Sequence, residues 1–148
     1  MNAARGLRSA GLLGLALLGC SSQCDLDDDV RRFAGDAALD CGTANETQGR
    51  ADVDTCAISA FDDGSAFIAR YQQRGIDSKL LTAVAMNSAG QVKIFRWDSS
   101  PCGGGSSCSP VTDVQACEGP AVELATSEDP NALPLSCSSL GLAQRICE

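Results

Sequence analysis

Apolar positions between Asp25 and Asp98 recur with two different periods, and the change of period marks the elements. Val30, Phe33, Ala34 and Ala37 stand at i, i+3, i+4 and i+7 behind Asp27, Asp28 and Asp29. Acids there suit the positive end of a helix dipole, so a helix is expected over 28–39, with Cys41 and Gly42 just beyond it. A second stripe joins Val53, Cys56, Ala57, Ala60 and Phe61, with Asp52 as candidate N-cap and Gly64 as stop. Asp62 and Asp63 sit at the wrong end for the dipole and weaken this helix modestly. The stripe extends on paper through Ile68 and Tyr71 to Gly75, but Phe67 to Tyr71 also reads as strand. A break at Gly64 is the preferred reading. Leu80 to Met86 is a nearly continuous apolar run. Val92 and Ile94 then alternate with Phe95 and Trp97. Arg74-Gly75 and Asn87-Ser88-Ala89-Gly90 carry turn signals between these strands.

After Ser99 the pattern changes. All five prolines (101, 110, 120, 130 and 134) and five cysteines fall in 99–148, with no aromatic residue. A loop-rich wrap is expected there, with one short strand near 121–125 and one helical turn near 138–145. The fold class predicted is α+β: one or two helices packed on a three- to four-stranded antiparallel meander, with a disulfide-rich, loop-dominated C-terminal wrap.

Upstream, a short basic start (Arg5, Arg8) precedes an apolar run from Ala10 to Gly19. The run is about half the length that a bilayer-spanning helix needs, so it reads as a targeting segment. Leu17-Leu18-Gly19-Cys20 resembles the lipobox of bacterial lipoproteins. That resemblance implies cleavage before Cys20 and a diacylglycerol on its sulfur. It further implies a cell-envelope location, at the outer membrane, because Ser21 replaces the aspartate that commonly retains such proteins at the inner one. The organisation expected is a signal peptide over 1–19, a lipidated N-terminus with a very short spacer over 20–24, and a single domain over 25–148. That domain divides into a body, 25–98, and a Cys/Pro-rich tail, 99–148.

Cysteine parity ties body to tail. Setting aside Cys20, the body holds Cys24, Cys41 and Cys56, and the tail holds Cys102, Cys108, Cys117, Cys137 and Cys147. Both counts are odd, so full pairing within the chain needs at least one bridge between them. Eight cysteines allow about 105 pairings, and sequence does not choose among them. The pairing favoured is Cys41–Cys56, joining two helix-face sulfurs, and Cys102–Cys108, closing a glycine loop. Cys117–Cys137 and Cys24–Cys147 complete it, the last bringing both ends beside the membrane. Cysteine at this density in an exported chain points to an oxidising compartment.

Removal of Arg5 and Arg8 leaves nine basic against nineteen acidic residues, a net charge near −10. Such a surface repels nucleic acid. The chain has no histidine and no Cys-x-x-Cys pair, so neither a zinc site nor a histidine-dependent nucleophile is expected. Lys79 and Lys93 are the only lysines, and Ser78-Lys79 would face opposite ways on a strand. Asp25, Asp27, Asp29 and Asp36 bear a passing likeness to a calcium loop. Val30 stands where glycine is required, however, and Asp36 where a bidentate glutamate belongs. Asp62/Asp63 and Asp77/Asp98 offer carboxylate pairs, which a chain this acidic supplies by composition alone. The glycines between Cys102 and Cys108 lack the lysine of a phosphate-binding loop. The Asn45-Glu46-Thr47 sequon reads as an accident of composition. No cofactor, metal or catalytic residue is predicted.

Trp97 and Tyr71 are the side chains best able to anchor a partner, although both also suit a half-buried core position. The stretches Gly64 to Phe67, Gly75 to Ser78 and Trp97 to Ser99 resemble a module of uncharacterised exported bacterial proteins. A helix on a meander is also similar to cystatin-like folds. Neither likeness carries an activity. The function expected is a lipid-anchored structural or protein-binding module of the envelope. A small exported inhibitor or ligand carrier is the alternative.

Overall fold

The computed structural model describes residues 24–45, 49–103, 108–123 and 132–147. The leader and Cys20 lie outside them, as does the middle of the sequon. Two helices and seven strands follow one another: α1 (Leu26–Ala34), β1 (Leu39–Ala44), α2 (Arg50–Asp62), β2 (Phe67–Arg74), β3 (Lys79–Met86), β4 (Val92–Asp98), β5 (Val111–Val122), β6 (Leu135–Leu140) and β7 (Gln144–Cys147).

All seven strands belong to one mixed sheet of order β1-β2-β3-β4-β5-β6, with β7 also paired to β5. β1 runs parallel to β2, and every other pairing is antiparallel. This overturns the three- to four-stranded meander with a loop-dominated wrap. β2, β3 and β4 do lie where the apolar pattern places strands. The sheet grows beyond them on both sides, through β1 at one edge and through the tail at the other.

The tail therefore contributes structure of its own. β5 pairs with β4 along 111–117, and its far edge takes β6 at 117–122 and β7 at 112–114. β6 and β7 run in the same direction along that edge, interrupted at 141–143, where the Gly141 N–H donates to the Ala116 carbonyl at 2.9 Å. The helical turn expected near 138–145 falls on β6 and β7, and of the short strand expected near 121–125, residues 121–122 are the end of the twelve-residue β5, while 124–125 lie outside the described residues.

Helix boundaries also shift. α1 starts two residues early because Asp25 caps it, its carboxylate accepting from the Asp27 N–H at 2.9 Å. It stops at Gly35, whose φ of +93° only glycine adopts readily, so residue 39 is free to open β1. α2 has Gly49 at its N-cap, and Asp52 falls in the first turn. It does end before Gly64, and the chain then turns into β2 rather than extending the helix.

One helix covers each face. α1 lays Leu26, Val30 and Ala34 on Ile68, Ala83, Ala85 and Phe95. α2 lays Val53, Ala57 and Ala60 on Phe67, Ala69, Tyr71, Val84 and Met86. Burial on both faces is why Leu80 to Met86 reads as one unbroken apolar run.

Four disulfides cross-link the domain: Cys24–Cys147, Cys41–Cys56, Cys102–Cys108 and Cys117–Cys137. They join the same partners as the pairing set out from the sequence. Cys24–Cys147 links the start of the described chain to the last strand.

Candidate functional site

The site is built where α1 meets the sheet. Between β1 and β2 the register slips by one residue, because Asp40 faces Ile68 while Thr43 faces Arg70. Gly42, at φ +87°, supplies the extra residue of this bulge. The slip puts both Asp40 and Thr43 on the α1 side, and leaves Cys41 on the α2 side within reach of Cys56.

Arg70 reaches from β2 into the space so formed, with only 8 % of its side chain exposed. Its Nε donates to Asp27 Oδ1 at 2.5 Å and its Nη1 to Asp40 Oδ1 at 2.7 Å. Arg31 Nη2 donates to the other Asp40 oxygen at 2.9 Å, and the Gly42 N–H to Oδ1 at 3.0 Å. Burial works against the Asp40 carboxylate. The Arg70 and Gly42 hydrogen bonds, with the charges of Arg70 and Arg31, outweigh it and hold Asp40 below the ordinary carboxylate range. Burial likewise opposes the Arg70 charge, and its two carboxylate partners reverse that effect. The group is neutral as a whole, a clasp and not an unsatisfied anion site.

Beside this clasp lies a cleft of about 300 Å³ between Asp25, Asp27 and Leu26 of the α1 end and Thr43, Leu81 and Trp97 of the sheet. Trp97 is half-buried, and its Nε1 donates to the Cys24 carbonyl at 3.2 Å. A second cleft, about 260 Å³, opens near Thr82, Arg96, Asp98 and Val111 at the same end of the sheet, and Trp97 also borders it. Its rim is fixed by a two-pronged pair in which Arg145 Nε and Nη2 donate to Asp113 at 3.0 and 3.1 Å. Arg96 donates to Gln115 nearby.

Tyr71 stands apart from Trp97. It is 3 % exposed and belongs to the core under α2, not to a displayed surface. Its hydroxyl donates to Asp54 Oδ1 at 2.8 Å, and the Arg50 guanidinium lies over its ring at 5.2 Å. Burial raises the Tyr71 pKa, and the Asp54 carboxylate raises it further.

The remaining acids take structural places. Asp25 caps α1 and Asp27 to Asp29 form its first turn, which accounts for the run that resembles a calcium loop. Asp98 accepts from the Ser100 N–H at 2.8 Å, closing a turn after β4. Among the described residues no group of three or more cysteines and carboxylates is placed to hold a metal ion. Also among them, no helix is long and apolar enough to cross a membrane.

Sequence reasoning passed over Arg70, Asp40 and Asp54. The signal present was an arginine inside the strand run Phe67 to Tyr71, where both faces have to be filled. No protein family matches the chain, and no curated protein or solved structure matches it either. Any reading of function therefore rests on the residues themselves.

Proposed function

We propose that this chain is a lipid-anchored binding module of the bacterial envelope, attached through Cys20 to the outer membrane. One observation carries the reading. The eight described cysteines all pair with one another. None of them is left for Cys20, the residue that ends the stretch Leu17-Leu18-Gly19-Cys20 and so resembles the lipidated cysteine of bacterial lipoproteins. A cysteine with that leader and no partner among the rest is well suited to a thioether with diacylglycerol.

The cleft beside Trp97 is the surface this reading assigns to a partner in the envelope. It offers an indole and Leu81 for apolar contact, with the Asp25 and Asp27 carboxylates and the Arg70 guanidinium at its wall, and so fits a side chain with an apolar stem and a polar head. The alternative, a small ligand carrier, is favoured only by the cleft's volume, which stands near the lower limit for small-molecule pockets, roughly 300 Å³.

Growth with radioactive palmitate tests the anchor. The native chain should carry label, and Cys20→Ala should carry none; equal incorporation would end the proposal. The cleft is tested separately by Thr43→Phe, which fills it from the edge strand. Loss of an envelope partner from this variant, with palmitate labelling unchanged, is the expected result.

A further inference from the structure

Among the described residues one large apolar side chain is fully exposed at a turn tip, close to where the chain enters the domain. Ile76 is 101 % exposed. It sits in the β2–β3 turn, which the Arg74–Lys79 register pair closes and the Gly75 N–H tightens by donating to the Ser78 carbonyl at 3.1 Å. A Cβ on Gly75 would come within 2.7 Å of that same carbonyl, so this close turn requires glycine there. The tip so formed presents its isoleucine outward.

Register then locates the tip. Gln72, Leu81, Trp97, Thr112 and Cys147 lie in one row across the sheet. Cys24 is fastened to that row twice, by its bridge to Cys147 and by the hydrogen bond from Trp97. Beyond the row, β2 and β3 continue through two more residue pairs before the turn, so Ile76 projects roughly 10 Å further along the strand direction. Cys20 is four peptide steps from Cys24 and lies at most about 14 Å from it, whatever path the chain takes. The tip and the tether root thus occupy the same end of the sheet, at comparable reach.

We infer that this end of the domain rests on the bilayer, with Ile76 seated among zwitterionic headgroups. The inference deepens the lipid-anchor reading and depends on it. Three features select this occupant. The tether is too short to hold the Cys24 end away from the membrane. Ile76 is, among the described residues, the fully exposed large apolar one at that end. Lys79 flanks it, whereas Asp77, Asp25 and Asp28 at the same end, on a chain whose net charge is near −10 once Arg5 and Arg8 are removed with the leader, disfavour an anionic surface. Leu142, 91 % exposed, lies in the break between β6 and β7 next to Gly141, level with Ala116 and so on the opposite side of the row from the β2–β3 turn.

The test uses the full lipidated chain in vesicles of phosphatidylethanolamine and phosphatidylcholine. A benzophenone amino acid is placed at 76, at 88 in the opposite β3–β4 turn, or at 142, and lipid adducts are read by mass spectrometry after irradiation. Adduct at 76 should exceed that at 88 about tenfold or more, the factor that burial of one large apolar side chain, here the probe's own, supports. Equal yields at 76 and 88, or a higher yield at 142, would overturn the docking. Flotation of the vesicles separates the two ideas. Protein that fails to float removes the anchor and the docking together, whereas protein that floats without adduct at 76 removes the docking alone. Ile76→Asp, at a position that packs against nothing, should float normally. On vesicles, its 75–78 amides should exchange as fast as those of the untethered Cys20→Ser chain; retained protection would count against the proposal.

Discussion

The two faces of the sheet are covered by one helix each, but the helices are fastened in opposite ways. α2 lies inside the β1–α2–β2 crossover, so the chain itself ties both its ends to paired strands. Its additional fastenings are local: Cys41–Cys56, fifteen residues apart, and a neutral tyrosine hydroxyl on Asp54. α1 continues into a strand only at its C-terminal end. At its other end it is held from a distance by Arg70 to Asp27, by Trp97 to Cys24, and by a bridge spanning 123 residues. A helix lacking a covalent neighbour on one side needs long-range clasps, and those clasps form the cleft. The candidate site is thus a by-product of how α1 is secured.

Removing bridges gives the largest contrast. In the chain-entropy account a disulfide contributes more as the loop it closes lengthens. Loss of Cys24–Cys147 (both to Ala) should cost about 5 kcal/mol, against about 3 kcal/mol for Cys41–Cys56. Urea titrations of the two variants check this; equal losses would show that the α1 face does not depend on its distant bridge.

The charged clasp comes next. Asp27→Asn with Asp40→Asn leaves the Arg70 guanidinium buried without a carboxylate, at a cost of about 3 kcal/mol. Arg70→Met in that background should recover much of the loss, because an apolar side chain requires no counter-charge. Either single substitution leaves Arg70 one partner and should cost less. The pH dependence follows from Asp40, whose pKa is lowered from 3.8 on folding. Its contribution is complete above about pH 4 and is lost as pH falls through the folded value. Asp40→Asn should therefore flatten the acid limb of the stability curve and leave the neutral region parallel to the native chain.

On the α2 face, Tyr71→Phe removes one hydrogen bond to a carboxylate while keeping the ring in the core. About 2 kcal/mol is expected from thermal unfolding. A loss larger than that of the Asp27/Asp40 variant would reverse the ranking of the two faces.

Much of the central sheet was legible because both of its faces are buried. Leu80 to Met86 is largely apolar on both sides, and Phe67 to Tyr71 and Val92 to Trp97 are so except at Arg70, Lys93 and Arg96, so composition announces them. β1 and β6 are edge strands with the sequences LDCGTA and LSCSSL. An edge strand that faces water needs no sustained alternation, and in both it lapses after three or four residues. β5 escaped notice for a different reason: Val111, Val114 and Cys117 are spaced by three, and the intervening buried position is Thr112. Of the site, Trp97 was visible as an aromatic at a strand end. Arg70 and Asp40 were not, since their meeting depends on a bulge at Gly42 that no local pattern encodes.

By itself the sequence determined that the Val30 and Val53 stripes are helical, that the second helix stops before Gly64, which strands are central, and that full pairing of the eight cysteines needs an odd number of bridges between body and tail. These follow from short-range rules of capping, periodicity and parity that hold in any fold. Tertiary structure alone decided that β1 pairs parallel to β2, that the tail extends the same sheet, and that α1 and α2 take opposite faces. Pairing partners and faces depend on contacts between residues far apart in the chain, and a one-residue slip at Asp40 reassigns every side chain beyond it.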